Sequence, residues 1–173
     1  MLERILIAGE GGQGVILIGR LLASVAAKTI QHVTFFPSYG AEVRGGTSYC
    51  HVIMSSKEIA SPLADDFDSM IIMNQESANK FLPRKGKNCL VVVNSSLCAM
   101  PRGNSVLGIS ATELANELGN TCTSNFIMLG AYLAKKPVVL RADVEKCTTS
   151  MLSGKNQSLV DLNIQAFRVG LTR

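Results

Sequence analysis

An apolar run, Ile5-Leu6-Ile7-Ala8, passes directly into Gly9-Glu10-Gly11-Gly12-Gln13-Gly14. From there apolar residues fall at helical spacing: Val15, Leu17, Ile18, Leu21, Leu22, Val25 and Ala26. A strand joined to a helix by so short a glycine-rich turn opens a βαβ unit, because the glycines permit the tight turn and close strand–helix packing. The fold expected is α/β: a three-layer, Rossmann-like domain with a largely parallel sheet and helices on both faces.

The rest of the chain keeps the alternation. Strands are expected at 2–8, at 33–36 (stopped by Pro37), at 47–54, 69–73 and 89–93, and as a short edge at 106–109. Helices are expected at 14–29, 76–81, 111–118 with Ser110 as cap, 125–134, 141–152 and 159–169. Arg84-Lys85-Gly86-Lys87 reads as a solvated turn before a strand. No repeat, low-complexity stretch or long linker divides the sequence, so residues 1–173 are expected to form one domain with a sizeable core.

Composition narrows the function classes. Hydrophobic residues make up 47% and mean hydropathy is +0.24, which excludes a disordered chain. Charged residues make up only 17%, as expected of a surface that a partner covers. The net charge of +4 comes from scattered basic residues without interleaved aromatics, so no nucleic-acid partner is expected. Cys50, Cys89, Cys98, Cys122 and Cys147 lack metal-ligand or iron–sulfur spacing. Their odd number, with no signal peptide, points to reduced and mostly buried thiols. No targeting segment and no apolar run of membrane-spanning length are seen, so the expectation is a cytoplasmic protein without membrane contact.

Gly9, Gly11 and Gly14 meet the spacing of a phosphate-binding turn, where a helix N-terminus offers N–H groups and a positive dipole end. A dinucleotide site also needs a carboxylate about 20 residues on, for the ribose hydroxyls. Val33-Thr34-Phe35-Phe36-Pro37-Ser38 has none, and Glu10 sits where an anion would approach. Dinucleotide binding is therefore disfavoured, a mononucleotide stays open, and the simpler role is close strand–helix packing. Gln13, at the helix end of the turn, is placed to hydrogen-bond a partner or ligand.

A second glycine-rich segment, Pro37-Ser38-Tyr39-Gly40-Ala41-Glu42-Val43-Arg44-Gly45-Gly46-Thr47, follows the second expected strand. Its place is the carboxyl edge of the sheet, where open α/β folds hold ligands. A loop this long with a Glu and an Arg is more than a connector. The plainer reading is a surface loop with a weak Glu42–Arg44 pair.

The two segments together resemble the gamma subunit of 2-oxoacid:ferredoxin (acceptor) oxidoreductases, the pyruvate, 2-oxoisovalerate and 2-oxoglutarate enzymes. The resemblance continues through Ile59-Ala60-Ser61-Pro62, residues 68–75, Asn125, Leu129-Gly130-Ala131, Asn163, Ala166-Phe167 and Gly170. Val43 departs conservatively from the pattern, since many members have another apolar residue such as Met there. What the resemblance implies is a division of labour. Such enzymes decarboxylate a 2-oxoacid on thiamine diphosphate with magnesium, pass electrons through iron–sulfur clusters to ferredoxin or another acceptor, and release an acyl-CoA. This chain has no Gly-Asp-Gly segment with a following Asn and no cysteine cluster, so no cofactor is expected on it alone. His32 and His51 are expected to pack at strands, and no catalytic or metal-ligating residue is assigned.

The implied partners are alpha and beta subunits, a ferredoxin-like delta subunit, and a homodimer when the chain is isolated. The candidate ligand or interface residues are Gly9, Gly11, Gly12, Gln13, Gly14, Tyr39, Gly40, Glu42, Arg44, Gly45, Gly46 and Thr47. Tyr39 is the expected interface anchor, and Arg44 meets an anion, a partner carboxylate in preference to a CoA phosphate. Asn74, Asn94 and Asn125 are expected to orient loops or cap local turns. The substrate leaning is 2-oxoglutarate or a branched-chain 2-oxoacid. The alternatives are an independent nucleotide- or flavin-binding protein and a stand-alone assembly module of the same fold.

Overall fold

The computed structural model describes residues 1–38 and 46–173. Tyr39, Gly40, Glu42, Arg44 and Gly45 of the candidate set lie outside the described residues. The elements are β1 (Leu2–Glu10), α1 (Val15–Ala26), β2 (His32–Ser38), β3 (Thr47–Ser55), β4 (Phe67–Ile72), α2 (Gln75–Phe81), β5 (Lys85–Asn94), β6 (Val106–Ile109), α3 (Ala111–Glu117), α4 (Ser124–Lys135), α5 (Arg141–Met151) and α6 (Gln157–Leu171). Six strands form one sheet in the order β2-β3-β1-β4-β5-β6. β1, β4, β5 and β6 run parallel, and β3 is antiparallel to both β1 and β2.

β1 sits near the middle, and the chain winds away from it in both directions. α1 leads towards β2, whereas α2 leads from β4 to β5. Right-handed crossovers of opposite direction fall on opposite faces of a sheet. Ile5, Ile7, Val52, Ile71 and Val92 accordingly pack with α1, α4 and α6, and Leu6, Ala8, Met70, Val91 and Val93 pack under α2. The five-helix face is the thicker layer. α4 and α6 meet there backbone to backbone, since a Cβ on Gly130 would overlap the Phe167 carbonyl and one on Gly170 the Ile127 carbonyl.

Three local expectations give way to the structure. β2 runs through Pro37 to Ser38, because on an edge strand the missing proline N–H costs no ladder bond. β5 begins at Lys85, and Lys85 pairs with Phe67, so Arg84-Lys85-Gly86-Lys87 is not a solvated turn. Arg84 instead reaches back to the Ala64 carbonyl at 2.6 Å and stacks over the Phe67 ring. Ser110 precedes α3 without its side chain capping the helix.

The amino edge of the sheet is tied by charge. Glu3 is 4% exposed, and Lys136 Nζ lies 2.7 Å from its carboxylate. Ser69 donates to the same carboxylate at 2.6 Å, and Tyr132 at 3.4 Å. Beside it Arg4 binds Asp66 and Asp68, and the Arg4 hydrogen bond holds the Asp68 carboxyl below its usual range. The lysine end of α4 is thus fixed to β1 and β4.

Candidate functional site: the carboxyl edge of the sheet

β1 and β4 are parallel neighbours whose following helices lie on opposite faces, which opens the crevice where α/β folds place ligands. The first glycine turn forms one wall. Gln13 Oε1 accepts the Glu10 N–H at 2.8 Å, and the Gln13 N–H returns to the Glu10 carbonyl at 3.1 Å. Gln13 was expected to hydrogen-bond a partner or ligand; its side-chain oxygen is engaged within its own turn. A Cβ on Gly9 would press on Gln13, Met73 and Val15, so this glycine serves packing. Gly12 and Gly14 hold φ of 100° and 71°, conformations that L side chains rarely adopt. Gly11 has neither reason: it is exposed, and a Cβ there would meet nothing within 4 Å among the described residues.

Gly46 and Thr47, the described end of the second glycine segment, touch this turn. The Gly11 N–H donates to the Gly46 carbonyl at 3.4 Å, and Glu10 pairs across the sheet with Thr47. Thr47 Oγ1 donates to Glu76 at 3.2 Å, tying β3 to α2. Gly9, Gly11, Gly12, Gln13, Gly14, Gly46 and Thr47 are therefore brought together. α1 starts at this edge with no side-chain cap and no acidic residue in its first turn.

Three asparagines lock the surrounding elements. Asn74 caps α2 by accepting the Ser77 N–H at 3.1 Å. Asn94 is fully buried and donates to the Met73 carbonyl and to Thr112 Oγ1. Asn125 donates to the Gly14 carbonyl at 3.2 Å. The sequence marked all three as loop-orienting or turn-capping residues, but their partners are visible only in the fold. Gln75 was not singled out; its Oε1 accepts the Ala99 N–H at 2.7 Å and fixes the β5–β6 connection beside α2.

The chemistry available to the described residues is limited. No three His, Cys, Asp or Glu side chains among them are grouped to hold a metal ion. Burial pushes the Cys50 thiol up to about 12 and those of Cys89 and Cys98 up to about 11, so these remain protonated and are poor nucleophiles. His51 packs against Tyr49, Phe36 and Phe67, with Nδ1 accepting the Ala64 N–H. A groove of about 670 Å³, lined in part by Leu2, Ser56, Ile59 and Leu63, lies at the opposite, amino edge. No helix among the described residues is long and apolar enough to cross a membrane.

The family model for pyruvate ferredoxin/flavodoxin oxidoreductase matches residues 4–173, which takes in both glycine-rich segments. The chain belongs to that family. Within the pyruvate ferredoxin/flavodoxin oxidoreductase family it is 34% identical to the 2-oxoglutarate synthase subunit KorC of Archaeoglobus fulgidus, over 95% of this chain and 83% of the relative. It is 30% identical to the ketoisovalerate oxidoreductase subunit VorA of Methanothermobacter thermautotrophicus, over 96% of this chain. The chain spans 35% of that relative's length. Among solved structures, the gamma subunit of a keto/oxoacid ferredoxin oxidoreductase from Geobacter sulfurreducens superposes with a TM-score of 0.82 at 29% identity, covering 99% of this chain and 95% of that one.

Proposed function

We propose that residues 1–173 act as one gamma-type domain of a 2-oxoacid:ferredoxin or acceptor oxidoreductase, inactive alone. Its glycine-rich edge abuts the alpha and beta subunits that carry thiamine diphosphate. Oxidative decarboxylation of the 2-oxoacid to an acyl-CoA proceeds on those subunits, with electrons leaving through iron–sulfur clusters, a ferredoxin-like delta subunit and ferredoxin. The substrate class favoured is 2-oxoglutarate or a branched-chain 2-oxoacid, in keeping with the names of the relatives.

The observation that carries this reading is Gly11. Among the described residues nothing in conformation or packing requires glycine there, it is exposed, and it adjoins Gly46. A residue without a side chain, set at the sheet edge, leaves room for another molecule's backbone or anionic group to approach. Arg44, in the adjoining loop, supplies the charge, which we assign to a partner carboxylate ahead of a CoA phosphate.

The test is purification of the tagged chain from its native host, with assay of the eluate. Expected are larger subunits, thiamine diphosphate, iron and CoA-dependent 2-oxoacid oxidation; a lone chain with bound flavin or nucleotide overturns the reading. Arg44→Glu is expected to abolish assembly while the isolated chain keeps its melting temperature. Unchanged assembly and activity of that variant would remove the loop from the interface.

A further inference from the structure

At the amino edge of the sheet, β5 starts with a defect in its pairing. β4 pairs with it at Phe67–Lys85 and again at Ser69–Leu90, so Gly86, Lys87, Asn88 and Cys89 stand opposite Asp68 alone. β6 first pairs with β5 at Val91. The four residues therefore have no ladder partner on either side and form an irregular bulge. Gly86 lets the bulge close on β4, since a Cβ there would overlap the Phe67 carbonyl. Gly103, at φ 149°, holds a conformation that L side chains rarely adopt, and Asn104 and Ser105 after it form the facing wall.

Between bulge and wall lies a pocket of about 280 Å³, with Lys85, Lys87, Asn88, Asn104 and Ser105 in its polar lining. Arg102 precedes the wall and is exposed. Among the described residues, no carboxylate lies within 4 Å of the charged nitrogens of Lys85, Lys87 or Arg102. The acids of β1 and of 65–68 are engaged elsewhere: Asp66 and Asp68 with Arg4, Glu3 with Lys136, and Asp65 with Arg84. Asp66 does stand behind the bulge, its carboxylate 3.8 Å from the position of a Cβ on Gly86, but Arg4 binds it.

Cations gathered without a counter-charge repel one another, and an anion between them relieves that repulsion. Sites for whole drug-sized ligands measure roughly 300–1,000 Å³, so this smaller pocket suits one compact anionic group. Its donors are two ammonium groups, the amides and hydroxyl of Asn88, Asn104 and Ser105, and main-chain N–H groups freed from the ladder. Phosphate oxygens take donors of these kinds, and two lysines match a double negative charge better than the single charge of a carboxylate.

We propose that this pocket binds a phosphate dianion, free or as the monoester end of a larger molecule, through Lys85 and Lys87 with Arg102 at the rim. The site lies at the edge opposite the glycine-rich segments and is independent of the gamma-domain reading.

The experiment titrates the isotope-labelled full chain with sodium phosphate at about pH 8, where the ligand is a dianion, and follows backbone amides by NMR. Sodium chloride at equal ionic strength is the control. Expected are saturable shifts centred on 86–89 and 103–106 with phosphate alone. Lys85→Ala/Lys87→Ala should weaken binding about tenfold or more, because each lysine supplies a charge-assisted contact. Lys28→Ala, beyond the end of α1, should match wild type. Both pocket lysines are exposed, so the double variant should keep its melting temperature. A parallel titration with adenosine monophosphate separates the two sources. The same amides shifting at lower concentration identify a phosphomonoester, and a response to inorganic phosphate alone identifies the free ion. No saturable shift at 86–89, equal affinity of the double variant and wild type, or an equal response to chloride overturns the inference. Any of these leaves the gamma-domain reading in place, since that reading rests on the opposite edge.

Discussion

Asn125, in the first turn of α4, donates its side-chain amide to the carbonyl of Gly14, which precedes α1 by one residue and lies 111 positions earlier. One hydrogen bond thus fixes the two helix starts that flank the glycine turn. Gly14 sits at φ 71°, and a Cβ on it would overlap the same amide. Position 14 is closed to side chains by backbone conformation and by Asn125 together.

Gly14→Ala should therefore cost about 2–4 kcal/mol, from left-handed strain plus displacement of the amide. Asn125→Ala should cost about 1–2 kcal/mol, the worth of one buried polar contact. Because both changes act on one contact, the double variant should be less destabilised than the sum of the singles. Urea denaturation of the four proteins measures this, and strict additivity would argue against the coupling.

Lys136→Met should destabilise more than Glu3→Gln. The first change strands a carboxylate that is 4% exposed, at a cost of about 3–5 kcal/mol. The second leaves an amide for Ser69 to bond, and Lys136, whose side chain is 35% exposed, turns to water. Equal losses in chemical denaturation would show that the pair does not hold the amino edge.

Acid should weaken the fold through His51. Burial, followed by the nearby Arg84 cation, pulls its pKa down from 6.5 to about 4. Between these values the unfolded chain binds a proton that the folded chain refuses. Stability from this group is complete above about pH 6.5 and falls as pH drops towards 4, by roughly 3 kcal/mol. Asp68, held low by Arg4, adds its own loss only further down, as pH falls below its ordinary value of 3.8. His51→Phe should flatten the stability profile between pH 6.5 and 4, at the cost of an unpaired Ala64 N–H. A wild-type profile already flat over that window contradicts the assignment.

Gly170→Ala and Gly130→Ala should each loosen the α4–α6 contact, where carbonyl oxygens of the facing helix leave no room for a methyl group. The loss should be about 2–4 kcal/mol, because backbone cannot move aside as a flexible side chain can. Hydrogen exchange in α4 and α6 should rise ahead of that in β1, and a unchanged melting temperature would refute the close approach.

Much of the architecture was legible in the residues. The strand, glycine turn and helix at 5–26 set the α/β class, and apolar periodicity located the remaining strands and helices within a few positions. Local pattern carries that information because helix and strand each repeat within a few residues. The misplaced start of β5 has the same origin. Lys85, Gly86 and Lys87 lack strand chemistry, and only pairing with β4 makes them a strand.

By itself the sequence determined the fold class, the position of the two glycine segments and the scarcity of charge. Tertiary structure alone decided that Glu3 meets Ser69, Tyr132 and Lys136, and that Asn125 meets Gly14. These partners are tens to more than a hundred residues apart. No local periodicity encodes such a meeting, because strand order and helix side bring those segments together only once the sheet has formed.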